Sequence, residues 1–155
     1  MENPEKTLLI VYHSQSGHTG KLAHAVLSGA ARVADISVIM KRAFDAGVND
    51  LLNCDGLILG TPENFGTLSG ALKDFFDRTF YPCEGKLAGL AYAVFVSAGN
   101  DGTGAVREIS RIATGYGWKS VAEPLIVRGE ITEADRIKAE ELGESMAAAV
   151  AMRIF

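Results

Sequence analysis

The chain has 155 residues and a net charge of −4, with 22% charged and 48% hydrophobic residues. This length predicts one domain over residues 1–155 that buries about two-thirds of its unfolded surface. The composition excludes intrinsic disorder, and the acidic balance disfavours a protein that binds nucleic-acid backbones.

Targeting and cross-linking signals are weak. The longest charge-free apolar run, 87–99, is too short for the ~20 residues of a membrane span, and the polar N-terminus, 1–6, is unlike a secretory signal. Two cysteines, Cys54 and Cys83, are too few for a disulfide scaffold or a zinc cluster. We therefore expect a cytoplasmic protein without a membrane partner.

Short apolar runs alternate with stretches of helical spacing five times along the chain, which predicts βαβ units. The predicted strands are 8–12, 35–40, 56–60, 90–96 and 120–127. The inward residues of the five predicted helices are Leu22, Val26, Leu27 and Ala30; Phe44, Val48, Leu51 and Leu52; Leu68, Leu72, Phe75 and Phe76; Val106, Ile109, Ile112 and Ala113; and Ile137, Leu142, Met146 and Val150. Thr132 and Asp135 predict a capping box at the start of the last helix.

Polarity predicts the order of the strands. The first, third and fourth strands are apolar at every position, so we place them in the middle of a parallel sheet. The second strand alternates and the fifth contains Pro124, which has no N–H for a ladder, so both suit edges. With right-handed crossovers, these constraints predict an α/β three-layer sandwich whose five-stranded parallel sheet has the order 2-1-3-4-5, with helices on both faces.

Three polar loops follow the three central strands, at 13–19, 61–66 and 97–103. The carboxyl ends of parallel strands meet at one edge of the sheet, so these loops converge into a ligand cradle. In the first loop, Ser14, Ser16 and Thr19 offer hydroxyl groups, and Gly17 allows close approach of an anion to the backbone. The following helix N-terminus favours a phosphate, while the alternative is an ordinary N-cap cluster.

The first loop also excludes two phosphate-binding motifs. It lacks the Gly-Lys-Ser/Thr of nucleotide triphosphatases and the Gly-x-Gly-x-x-Gly of dinucleotide-binding folds. It contains no lysine or arginine, so neutral donors would hold the phosphate, with His18 as the one candidate cation.

Two segments carry a resemblance to a known family. Ser14-Gln15-Ser16-Gly17-His18-Thr19 after an apolar strand resembles the FMN-phosphate loop of flavodoxin-like proteins. Gly60-Thr61-Pro62-Glu63-Asn64-Phe65-Gly66, with Asp77-Arg78-Thr79 further on, resembles tryptophan-repressor-binding-protein-type NAD(P)H:quinone oxidoreductases and related NADPH-dependent FMN reductases. The resemblance covers the whole chain in order and implies a flavodoxin-like fold with FMN as cofactor.

The resemblance also implies roles for individual residues. The first loop would hold the FMN phosphate, the second would line the isoalloxazine ring, and the third would face its pyrimidine edge. The implied cofactor-binding residues are Ser14, Gln15, Ser16, Gly17, His18, Thr19, Thr61, Pro62, Glu63, Asn64, Phe65, Gly66, Ser97, Ala98, Gly99, Asn100, Asp101 and Gly102. Phe65 and Tyr81 are candidate stacking partners of the ring, and core packing is the alternative for each.

Other reactive side chains are predicted to be structural. We expect Cys54 to be buried, His24 to lie on the surface, His13 to make structural hydrogen bonds, and Trp118 to pack in the interior. The charges of 133–144 are interpreted as a solvated helix face. Flavin chemistry resides in the cofactor, so we predict neither a catalytic triad nor a metal.

Three functions remain open from the sequence. The first is an FMN-dependent oxidoreductase that takes a hydride from NADPH or NADH and reduces a quinone or similar small-molecule acceptor. The second is a flavodoxin-type one-electron carrier that serves a redox partner protein. The third is a binding module with a structural flavin or another phosphate. A homo-oligomer is compatible with the first.

Overall fold

Strands and helices alternate along the computed structural model, which describes residues 5–155. The sequence predicts that the polar segment 1–6 is no secretory signal. Residues 1–4 of this segment lie outside the described residues. The strands are β1 (Lys6–Tyr12), β2 (Ile36–Arg42), β3 (Gly56–Pro62), β4 (Ala91–Ala98), β5 (Lys119–Ser120) and β6 (Leu125–Arg128). The helices are α1 (His18–Ala30), α2 (Val48–Leu52), α3 (Gly70–Cys83), α4 (Thr103–Tyr116) and α5 (Glu133–Ala151).

The sheet has the predicted order. Its neighbours run β2-β1-β3-β4-β5, and every described pairing is parallel. The central strands β3 and β4 are buried almost throughout, whereas β2 is half-buried at one edge. Polarity therefore ranks the strands correctly, because only central strands are covered on both faces and flanked on both sides.

The predicted fifth strand is wrong as a single element. The chain forms two short strands, β5 and β6, and both pair with β4. Residues 121–124 separate them, and Pro124 is the last of these. Proline has no N–H to donate, so the ladder cannot run unbroken through this position. The sheet thus has six strands among residues 5–155, with the split at its edge.

Alternate residues of each central strand supply two separate cores. Leu9 and Leu59 face the layer formed by α2, α3 and α4, whereas Ile10 and Ile58 face α1 and α5. This alternation follows from the period of two along a strand. Helices on both faces bring the amino ends of α1 and α4 to the carboxyl edge of the sheet.

Two glycines set the crossing of α1 and α5. A Cβ on Gly29 would lie 1.8 Å from the carbonyl oxygen of Glu140, and one on Gly143 would lie 1.9 Å from that of Val26. The helix backbones therefore touch, which fixes the position of α1 and of its amino end.

Some helix predictions need correction. Phe44 lies outside α2 and is 66% exposed, because the helix begins only after Gly47, whose N–H donates to the Asp50 carboxylate. Ile137 is exposed, since the buried stripe of α5 runs through 139, 143, 146 and 150. Glu140 is not solvated but buried, and its carboxylate pairs with Arg32 and Arg136. Leu68 is buried but precedes α3.

The predicted capping box at the start of α5 is confirmed. The Thr132 hydroxyl accepts a hydrogen bond from the Asp135 N–H at 3.2 Å, and the Asp135 carboxylate accepts one from the Thr132 N–H at 2.9 Å. These bonds satisfy donors that have no partner inside the helix. No helix among residues 5–155 is long and apolar enough to cross a membrane.

Tyr116 of α4 belongs to a buried aromatic cluster, and its burial leads us to expect a loss of stability at high pH. Tyr116 stacks on Trp118 at 4.2 Å, and its hydroxyl donates to the Phe76 carbonyl at 2.9 Å. Burial raises the pKa of Tyr116 to about 12, because the phenolate would lose its water. The unfolded chain releases this proton at lower pH, so the free energy of unfolding decreases as pH rises from 10 toward 12.

Replacement of Tyr116 by Phe tests this dependence. We expect Tyr116→Phe to lose about 1 kcal/mol near neutral pH, through the lost hydrogen bond, and to show a flatter decline above pH 10. Denaturant unfolding followed by the fluorescence of Trp118, the one tryptophan, measures both. Tyr81→Phe is the matched control, since Tyr81 is 79% exposed. An unchanged decline in Tyr116→Phe would contradict the assignment.

Candidate functional site

Four chain segments meet at the carboxyl edge of the sheet. They enclose a cleft of about 360 Å³, a size typical of small-molecule sites. Its lining residues are Gln15, Ser16, His18, Pro62, Glu63, Asn64, Ser97, Ala98, Gly99 and Gly129. The three predicted loops therefore converge. Gly129, which follows β6, is not among the cofactor-binding residues predicted from the sequence. The rule that ligands bind at the carboxyl ends of strands applies to the edge strand as well and could have indicated it.

The first loop forms a cradle of backbone donors. Gly17 precedes α1 with φ +101°, and a Cβ at this position would meet no atom of residues 5–155 within 4 Å. Within the described residues, no protein group accepts from the N–H groups of Ser16, Gly17, His18 or Thr19. Such free N–H groups at a helix start bind anions. The cradle thus fits a phosphate.

Two of the three hydroxyl groups of this loop, those of Ser14 and Thr19, bond within the fold, whereas Ser16 lines the cleft. Thr19 is buried, and its hydroxyl oxygen lies 2.6 Å from that of Ser97 at the end of β4. Ser14 accepts from the Gly20 N–H at 3.0 Å. Thr19 and Ser97 were both predicted to bind cofactor; their hydroxyl groups bind each other and tie α1 to the sheet, and Ser97 also lines the cleft.

The cleft has little positive charge of its own, and Glu63 is an acidic residue among those that line it. None of its lining residues in the described chain is a lysine or an arginine. The His18 imidazole lies 3.7 Å from the exposed carboxylate of Glu130. A phosphate here would therefore depend on N–H groups and on the positive end of α1.

The second loop ends in a tight hairpin. Asn64 and Thr67 exchange backbone hydrogen bonds of 2.9 and 3.0 Å across Phe65 and Gly66. Both turn residues have positive φ, +52° for Phe65 and +76° for Gly66. A bulky residue in this region is strained, by about 1–2 kcal/mol. Phe65 is fully exposed, so core packing is excluded for it. A strained backbone that holds an aromatic ring in solvent points to a role in binding.

Glu63 attaches the second loop to the third. Its carboxylate accepts from the N–H groups of Gly102 at 3.0 Å and Ala105 at 3.2 Å. These are orphan donors at the amino end of α4, so Glu63 caps this helix. A Cβ on Gly104 would lie 1.9 Å from the Gly66 carbonyl oxygen, which shows how closely the hairpin rests on α4.

Thr61 lies beneath the second loop instead of in the cleft. It is fully buried, accepts from the Ser69 N–H at 2.9 Å and donates to the Pro62 carbonyl at 2.8 Å. Gln15 and Asn64 lie above, and the Asn64 amide donates to the Gln15 side chain at 2.7 Å. This last bond joins the first two loops at the mouth of the cleft.

The third loop is shorter than predicted. Ser97 and Ala98 belong to β4, and Gly102 is the N-cap of α4 with φ +82°. Asn100 and Asp101 are exposed and do not line the cleft, and Asp101 lies 3.8 Å from Arg128. The cofactor roles of all the predicted residues remain predictions.

Tyr81 does not reach this site. It lies in the last turn of α3, which runs back from the loops, so about 16 Å of helix separates it from the second loop. It is 79% exposed and lines a different depression with Phe80. Tyr81 as a stacking partner of the ring is therefore a wrong prediction, and core packing is wrong for it too.

Cys54, His24 and Trp118 are placed as predicted, whereas structural hydrogen bonding by the His13 side chain stays a prediction. Cys54 and Cys83 are free and buried, and burial raises the pKa of the Cys54 thiol to about 12. His24 is exposed on α1, and Trp118 is buried. His13 packs edge-on against Phe44 at 6.0 Å, and burial, together with the charge of Arg42, lowers its pKa.

Comparison with known families agrees with this geometry. Residues 7–133 match the model of the family described as NADPH-dependent FMN reductase. The chain belongs to this family. Membership confirms the resemblance stated from the sequence and the prediction of FMN as cofactor. The free N–H groups of the cradle and the exposed Phe65 fit that cofactor, whose phosphate is anionic and whose ring is flat.

Two curated relatives match this chain over part of its length. An NAD(P)H dehydrogenase (quinone) of Acidithiobacillus ferrooxidans is 36% identical over 111 residues, which cover 58% of this chain and 56% of that protein. A flavodoxin of Aquifex aeolicus is 34% identical over 97 residues, covering 63% and 52%. The chain spans about half the length of the curated relatives it matches.

Solved structures confirm the flavodoxin-like fold. An archaeal flavodoxin has a TM-score of 0.82 at 22% identity, covering 93% of this chain and 98% of that one. A WrbA-like flavodoxin of Agrobacterium tumefaciens has a TM-score of 0.80 at 22% identity, covering 95% and 98%. At this identity the likeness concerns the fold.

Proposed function

We propose that this protein is an FMN-dependent oxidoreductase that accepts electrons from NADPH or NADH and passes them to a quinone or a similar small molecule. The observation that carries the proposal is the cradle at Ser16–Thr19, whose N–H groups have no acceptor within the described residues, together with the hairpin that exposes Phe65 and is joined to the first loop by the hydrogen bond between Asn64 and Gln15. The first suits the phosphate of FMN and the second its ring. The family and the dehydrogenase relative support the same chemistry.

The chain's own residues hold and orient the cofactor. The amino end of α1 fixes the phosphate, while Pro62, Asn64 and Gly99 line the part of the cleft open to the ring. Glu63 keeps the second and third loops together, so the ring meets walls that are already formed. When bound, FMN supplies hydride acceptance and electron donation, and the protein sets its potential and access.

A second function has a specific observation in its favour. The flavodoxin relative is 34% identical, only slightly less than the dehydrogenase. A one-electron carrier would use the same cleft but would dock on a protein partner, and acidic carriers do so through charge. The net charge of −4 is modest for that purpose, so we rank this function second.

Anaerobic titration of the FMN-loaded protein separates the two functions. We expect NADPH or NADH to bleach the visible absorption of the flavin within seconds, with one equivalent sufficing. Recovery of the absorption on addition of a soluble quinone would then show turnover. Bleaching by dithionite but by neither nicotinamide would contradict the oxidoreductase and favour the carrier.

A further inference from the structure

Two helices, α1 and α4, direct their amino ends toward the carboxyl edge of the sheet, and the two ends differ in what they bind. At α1 the N–H groups of Ser16–Thr19 have no acceptor among the described residues. At α4 the N–H groups of Gly102 and Ala105 donate to the two carboxylate oxygens of Glu63, at 3.0 and 3.2 Å. The chain therefore supplies an anion of its own at the amino end of α4 and leaves that of α1 open.

The sequence at the start of α4 explains why this helix needs a distant partner. In a capping box, the N-cap side chain accepts from the N–H three residues on, and the side chain of that residue accepts from the N-cap N–H. Thr132 and Asp135 form this arrangement in α5. The corresponding residues of α4 are Gly102 and Ala105, and neither has a polar side chain. Glu63 accepts from the same two N–H groups, so it replaces both halves of a capping box from 39 positions away.

The backbone of Glu63 is fixed as well. Its N–H donates to the Ser97 carbonyl at the end of β4, at 2.9 Å, and the residue is half-buried. Glu63 also lines the cleft at the carboxyl edge of the sheet. One residue thus contacts the cleft, the end of β4 and the start of α4. The third loop, 99–102, lies between these two elements, so its position depends on both contacts.

We propose that Glu63 is a positioning residue for the flavin end of FMN, because its carboxylate acts as a built-in anion that holds the third loop and the first turn of α4 in the form that binds the cofactor. The inference rests on the proposed function, since it concerns how the same cleft is assembled. Walls that are ordered beforehand spare the cofactor the cost of ordering them. Without the carboxylate, the buried Gly102 and Ala105 would each leave an N–H group unpaired, which is unfavourable unless the turn opens to water.

Hydrogen exchange of the cofactor-free protein tests this role without any flavin. We expect the amide protons of 102–106 to exchange about tenfold faster in Glu63→Ala than in wild type, the effect of a lost helix cap. Glu63→Gln keeps one oxygen as an acceptor but lacks the charge, so its exchange should be intermediate. Sodium acetate supplies a free carboxylate, which should slow the exchange in Glu63→Ala and leave wild type unchanged.

The affinity for FMN measures the effect on the site. Quenching of flavin fluorescence should give a Kd about tenfold higher for Glu63→Ala than for wild type and about threefold higher for Glu63→Gln. Acetate at constant ionic strength should lower the Kd of Glu63→Ala about threefold, because it restores the anion at α4. The Kd of wild type should not decrease, since its own carboxylate already occupies this position.

Asp50→Ala is the matched control, because Asp50 also serves the amino end of a helix. Its carboxylate accepts from the Gly47 N–H at the start of α2, at 2.9 Å, and Asp50 is not among the described residues that line the cleft. Asp50→Ala should therefore lose thermal stability but keep the affinity of wild type for FMN. Acetate should not improve that affinity.

Three results would overturn the positioning role. An unchanged Kd in Glu63→Ala would show that the loops form without the carboxylate. A loss of affinity that acetate does not reduce would mean that distortion of the second loop, not the missing anion, is the cause. An equal loss in Asp50→Ala would mean that general instability is the cause. None of these measurements involves electron transfer, so bleaching of the flavin by NADPH or NADH would leave the proposed function standing in each case.

Discussion

Gly17→Ala is expected to weaken FMN binding at least tenfold. Gly17 has φ +101°, which L-residues rarely adopt, and its missing Cβ leaves open space where the phosphate would approach. An alanine must either strain the cradle or rotate the N–H groups of Ser16–Thr19 away from the anion. A tenfold loss corresponds to about 1.4 kcal/mol, within the range of such strain. Quenching of flavin fluorescence gives the dissociation constant.

Gly89→Ala is the matched control for Gly17→Ala. Gly89 also has positive φ, +84°, and a Cβ on it would likewise meet no atom of the described residues within 4 Å. It lies before β4, at the edge of the sheet opposite the cleft. Both variants should lose similar thermal stability without FMN, but only Gly17→Ala should lose affinity. Equal affinity in the two variants would contradict a phosphate at this loop.

Gly104→Ala is expected to disturb the second loop. The added Cβ would lie 1.9 Å from the Gly66 carbonyl oxygen, so the hairpin must move away from α4. Such overpacking costs about 1–3 kcal/mol. Because Phe65 and Asn64 belong to the same hairpin, we also expect FMN affinity to decrease at least tenfold. Denaturant unfolding and flavin titration measure the two effects.

A second glycine on the same helix provides the control for Gly104→Ala. Gly115 lies in the last turn of α4, where a Cβ would meet the Phe80 ring at an ordinary 3.7 Å. Gly115→Ala should therefore raise stability by up to about 1 kcal/mol through helix propensity and leave FMN affinity unchanged. If Gly104→Ala also gained stability, the close contact with Gly66 would be refuted.

The hairpin illustrates what sequence patterns miss. Phe65-Gly66 reads as part of a polar loop, but its exposure depends on the two positive φ angles and on the support of α4 below it. The sequence predicts Glu63 as a residue that lines the flavin ring. In the structure its carboxylate caps α4, which begins 40 positions later in the chain. Local composition carries no information about such distant acceptors and donors.

The sequence by itself determined the layers and the strand order, and it predicts the phosphate loop. Each depends on local chemistry: apolar runs of period two, the missing N–H of Pro124, and a glycine before a helix start. Only the tertiary structure decided which side chains face the cleft. Thr19 and Ser97 are 78 positions apart, and their hydroxyl groups bind each other because the sheet brings them within 2.6 Å. Tyr81 is excluded for the same kind of reason, since α3 carries it away from the carboxyl edge where the ligand must bind.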